Sequence, residues 1–155
     1  MVSGLVASAI LWIVLVGGLS FLFRGGISSF ILKIPFPKSL LFLVTGTIYS
    51  IIEENINCPP TGCEIIPWTI PIFVIFLIIH LSILKIFRIK NYKIAIFIFG
   101  IIGWISEFIF GSYKEWLWSS PAVTILMSIW CFFTFSVIVI VPVTILFKNK
   151  KQPAR

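Results

Sequence analysis

The segment "YKIAIFIFGIIGWISEFIFG" (residues 92–111) carries one carboxylate, Glu107, in a run otherwise suited to hydrocarbon. A charged group in such a run is costly unless it faces protein or water, which makes it a candidate functional position. Glu107 lies 14 residues after the basic anchor Lys93, about 21 Å along a helix rising 1.5 Å per residue. Gly103, Glu107 and Gly111 recur every fourth residue and share one helix face. Glycines at that spacing admit a neighbouring helix closely, so Glu107 is expected to point into a bundle, away from lipid.

A second acidic position sits at the same level. In "GTIYSIIEEN" (46–55), Glu53 and Glu54 follow Lys38 by 15 and 16 residues, about 23 Å by the same rise. Gly46, Ser50 and Glu53 or Glu54 share a face, and Tyr49 is four residues before Glu53. Glu107, Glu53 and Glu54 are thus the candidate catalytic residues. Paired carboxylates can share a proton, one acting as acid while the other acts as base, and they can hold a divalent cation through oxygen. Two plainer readings stand beside this chemistry. Glu53 and Glu54 could mark the outer water boundary, and Glu107 could be a structural acceptor for Tyr49 or Ser50.

The other reactive side chains are sparse. His80 is the single histidine, five residues before Lys85 and about 14 Å along the axis from the carboxylate level. It reads as a bundle histidine or a proton relay, and one histidine makes no metal site unaided. Its FxxxH setting is similar to one motif of CAAX-type intramembrane proteases. The arginine expected after the double glutamate and a second histidine are both missing, which excludes that assignment. Cys58 and Cys63 flank "PPTG" in the loop "ENINCPPTGCEIIPW". Their C-x4-C spacing suits neither a thiol oxidoreductase nor a complete zinc set; on an outer face a disulfide is expected. Cys131 is expected to be a small buried apolar residue. Tyr113, Trp116 and Trp118 crowd "GSYKEWLWSSP", as an interfacial aromatic belt or as the mouth of a site for a lipidic ligand.

These residues need elements to position them, and composition names the class. Of 155 residues, 59% are hydrophobic and 11% charged, with a mean hydropathy of +1.14. Soluble domains carry about 25% charged residues, and a fold this small leaves too much surface exposed to hide so many apolar side chains from water. The expected fold is an all-α, polytopic membrane helical bundle of one domain (1–155), placed in the cell membrane. Five spans are predicted, at about 4–23, 39–54, 66–87, 94–111 and 121–147, each near the ~20 residues that cross a bilayer. Pro35 and Pro37, with Lys33 and Lys38, make an interfacial turn before the second, and Pro142 kinks the fifth near its end. The first apolar run has no basic n-region and is longer than a signal peptide's, so it is expected to stay as a span.

Charge supplies the orientation. With the N-terminus outside and the C-terminus cytoplasmic, eleven of the twelve basic residues fall inside and only Lys114 outside, a strong positive-inside bias. All five glutamates fall at the outer side or in the outer half of a span. The net charge of +7 is thus a topology signal, not a nucleic-acid footprint. It also makes membrane lipids the expected partners, with anionic headgroups at the inner face. No internal repeat supports an inverted-repeat transporter.

From Gly103 to Trp130 the chain combines a glycine, a glutamate four later, the loop "KEWLW", Pro121 and a tryptophan. This resembles small polytopic membrane proteins of the carotenoid-pathway hydratase type and related uncharacterised families. The resemblance covers about 28 residues and implies isoprenoid or lipid chemistry with Glu107 as acid. Three function classes remain open. The first is a membrane-embedded enzyme or binder acting on a lipid or isoprenoid through outer-leaflet carboxylates. The second is a non-catalytic subunit or assembly factor with a membrane-protein partner on the glycine face. The third is a proton- or cation-coupled carrier.

Overall fold

The computed structural model describes residue 7 and residues 10–57, 69–109 and 120–148, and among these every regular element is helical. Helix α1 (Ile10–Ile31) is π-helical over Ile10–Gly17 and α-helical over Gly18–Ile31. It is followed by α2 (Lys38–Asn57), α3 (Thr69–Ile86), α4 (Tyr92–Ile109), α5 (Pro121–Ile138) and α6 (Ile140–Phe147). In hydrocarbon a backbone must satisfy its own polar groups, and the helix does so within one segment. Helices α1, α4 and α5 are long and apolar enough to cross a membrane. Their outer faces support that setting: Val14, Leu22 and Leu126 are about two-thirds exposed or more, a surface water would not tolerate in so small a protein.

The first span was expected to end at Phe23, but α1 runs through Arg24, Gly25 and Gly26 to Ile31. Arg24 does not stop it because its long side chain lies along the helix. The guanidinium donates to the Phe21 carbonyl and covers the Phe21 and Tyr92 rings, 4.1 and 5.4 Å from their centroids. The chain turns only where Pro35 and Pro37 intervene, and the Pro37 carbonyl accepts from Leu41 N–H at 3.0 Å to open α2. The α3–α4 connection passes through Arg88, whose φ of 49° is left-handed. That conformation costs about 1 kcal/mol for a side-chain-bearing residue, and it lets Ile89 N–H reach the Leu84 carbonyl at 3.0 Å, closing the α3 terminus.

The kink expected near Pro142 is a break at Val139 (φ −104°, ψ 2°) between α5 and α6. Proline lacks an N–H and its ring collides with the carbonyl four residues back, here Ile138. The consequence is large. Freed from α5, α6 enters between α1 and α2, burying Val141 and Ile145 against Leu41, Ile27 and Ile31. The α4–α5 pair is the other close contact. A Cβ on Gly103 would lie 1.9 Å from the Phe135 ring, so only glycine permits this approach. Phe73, Leu77, His80 and Leu84 form the inward stripe of α3, spaced three and four apart as a buried helix face requires.

Candidate functional site

Helix α2 carries its cation at one end and its carboxylates at the other. Successive residues on a helix differ by about 100° in direction, so Glu53 and Glu54 cannot face the same neighbour. Glu53 is the inward one, 7% exposed, while Glu54 is half-buried. Of the two glutamates between which the sequence left a choice, Glu53 belongs to the interior. On α4, Glu107 is half-buried near the end of the helix.

A third polar side chain lies in the same region. Cys131 of α5 is 1% exposed, and both Glu107 and Glu53 lie within electrostatic reach of its thiol. The Cys131 Sγ–H donates to the Gly103 carbonyl at 3.7 Å, and the Ser106 hydroxyl donates to the same oxygen at 2.8 Å. The missing side chain at Gly103 is what brings this about. It seats Phe135 against the α4 backbone and so carries Cys131, one helical turn away on α5, up to the Gly103 carbonyl.

Tyr49 and Ser50 do not serve Glu107 as the plainer reading expected. The Tyr49 hydroxyl pairs with Ser20 Oγ of α1 at 2.8 Å, and Ser50 donates to the Gly46 carbonyl of its own helix at 3.0 Å. Tyr49 lies on the α2 face that meets α1, where Trp12 stands edge-on to it at 6.4 Å and donates its indole N–H to the Thr134 carbonyl at 3.1 Å. Ser50 is 1% exposed and follows the usual course of a buried helical serine, bonding back one turn.

His80 is fully buried between Phe42 and Phe99, with ring centroids 5.8 and 5.0 Å away. Its Nε2–H donates to the Ala95 carbonyl at 2.9 Å, which fixes the tautomer and ties α3 to α4. Its neighbours there are aromatic rings and a backbone carbonyl, in keeping with a bundle histidine. Among the described residues no group of three or more His, Cys, Asp or Glu side chains could hold a metal. Cys58, Cys63 and the aromatic loop residues Tyr113, Lys114, Trp116 and Trp118 lie outside the described residues.

Cys131 is buried in the core as expected, but its contact with the Gly103 carbonyl was not anticipated. The available signal was its place one turn before Phe135 on the face that must meet Gly103. The Ser20–Tyr49 pair was also missed, although a serine in an apolar span needs some partner. Compared with protein-family models, curated proteins and solved structures, the chain matches none of them.

Proposed function

We propose that this is a multi-pass protein of the cell membrane that binds or transforms a lipid or isoprenoid through Glu53 and Glu107. The observation that carries the reading is a 7%-exposed carboxylate, Glu53 of α2, together with a half-buried one, Glu107, near the end of α4. Interior carboxylates are expensive to retain, and two at one level suit acid–base work. One carboxyl donates a proton to a double bond or oxygen of the substrate, while the other accepts a proton from the attacking or leaving group. The resemblance of residues 103–130 to the carotenoid-pathway hydratases points to the same class of substrate, with Glu107 as acid and Glu53, ahead of Glu54, as base.

The subunit reading loses part of its support. Gly100 and Gly103, which could have received a partner's helix, are occupied by Phe132 and Phe135 of the same chain. The carrier reading draws on the same two carboxylates, while the described partners of His80 are the Phe42 and Phe99 rings and the Ala95 carbonyl.

Two experiments test the proposal. Lipids from membranes containing the wild type, Glu53→Gln or Glu107→Gln, and lipids that co-purify with each protein, are compared by mass spectrometry. Either substitution should lower product or bound ligand by about 100-fold, the scale of a lost acid or base, while helix content and melting stay unchanged. Identical lipid profiles from all three proteins would sink it. The proposed topology has five spans, with the N-terminus outside and the C-terminus inside. A cysteine introduced at Lys150 should then resist an impermeant thiol reagent in intact cells and react after permeabilisation; labelling in intact cells reverses the orientation.

A further inference from the structure

A groove of about 470 Å³ opens between α1, the start of α4 and the end of α5, at the end of the bundle remote from Glu53 and Glu107. Its walls are apolar, formed by Ile13, Phe21, Ile96, Phe97 and Val137 among others. Two neighbouring glycines of α1 line it and do opposite things. A Cβ on Gly17 would strike Val137 at 2.7 Å, so this glycine lets α1 touch α5. A Cβ on Gly18 would meet nothing within 4 Å. Gly18 therefore leaves space open in the groove that no packing in the chain requires.

Charge marks one rim. Lys93 lines the groove and is exposed, its neighbour Tyr92 lines it too, and the Arg24 guanidinium lies over the rings of Tyr92 and Phe21, both groove residues. Two cations thus flank the mouth of an apolar groove, and no glutamate is among the described residues that line it. We propose that this groove binds one anionic phospholipid, with an acyl chain along the Gly18 wall and the phosphate between Arg24 and Lys93. The volume is that of an ordinary ligand cleft, and the arrangement matches how basic side chains at the interface draw anionic headgroups. Arginine suits the phosphate because its planar fork meets two oxygens at once. A zwitterionic lipid would bring its own cation to the same place and lose most of this attraction.

Photocrosslinking tests the site on the unmodified protein. The full chain is reconstituted in vesicles of equimolar phosphatidylcholine and phosphatidylglycerol, with a trace of phosphatidylglycerol bearing a diazirine on one acyl chain. Crosslinks should concentrate on residues 13–21, 92–97 and 132–140, and excess unlabelled phosphatidylglycerol should compete where phosphatidylcholine does not. Crosslinks spread evenly over the lipid-facing helices, or equal competition by the two lipids, overturn the proposal. Gly18→Leu, whose Cβ meets nothing within 4 Å, should lower crosslinking at least about tenfold, as should Arg24→Gln combined with Lys93→Gln. Undiminished crosslinking in a folded Gly18→Leu protein also overturns it, and should that variant fail to fold, the wild-type crosslink map and the lipid competition decide alone.

Discussion

The two ends of α2 use charge in opposite ways. At its start, Lys38 donates to the carbonyls of Leu146 and Lys148, 3.3 and 2.5 Å away, at the end of α6. Lys148 in turn donates to the Gly25 carbonyl and to Ser29 Oγ of α1. At the end of α6, Lys38 satisfies main-chain oxygens that a helix terminus leaves open and complements its dipole. Fifteen residues later on α2, Glu53 is drawn into the interior, 7% exposed. The cations fasten three helices together and could be replaced by other donors of similar reach. Of the carboxylates at the other end, Glu53 is buried and Glu54 half-buried, a costlier placement for a charged group than an exposed one.

Gly103→Leu should break this contrast most severely. Its side chain would enter the Phe135 ring, and overpacking of this kind costs about 3 kcal/mol. Thermal unfolding in detergent should show a large loss of stability, with Glu107 and Cys131 carried apart. A variant that melts like the wild type would mean that the α4–α5 contact does not hold the carboxylate end together.

Lys38→Met comes next. It keeps the apolar stem and removes both hydrogen bonds to α6, so stability should fall by about 2 kcal/mol, as for bonds to a charged donor. Equilibrium unfolding in mixed detergent measures it. No change would leave Lys38 as a topological charge alone and remove the fastening role assigned to the basic end.

Tyr49→Phe should have the smallest effect, about 1 kcal/mol, through loss of its bond to Ser20. A double-mutant cycle with Ser20→Ala should return a coupling of about the same size. Since Tyr49 lies between the two ends of α2, this pair calibrates what an ordinary polar contact contributes within the bundle. A coupling near zero would show that the α1–α2 contact rests on Trp12 and apolar packing.

Much of the fold was legible without coordinates because hydrocarbon allows few backbone solutions. Long apolar runs announced α1, α4 and α5 as membrane-crossing helices, and Pro142 announced an interruption before the chain ended. Residue count also gave an expected depth, since a helix converts it into distance, and by that measure Glu53 and Glu107 stand at one level from Lys38 and Lys93. What residue order leaves open is azimuth and partnership. Whether Glu53 or Glu54 faces inward depends on how α2 is rotated against α4 and α5. The pairing of Tyr49 with Ser20 rather than with Glu107 depends on α1 lying against α2. Cys131 gained its place only because Phe135 packs on a glycine 32 residues earlier in the chain. The break at Val139 likewise became the wedge of α6 between α1 and α2 through packing alone. Sequence by itself determined the apolar helices and their punctuation, because those follow from the solvent and from local geometry. Tertiary structure alone decided which side chains meet, because close approach between helices depends on all the surfaces in contact at once.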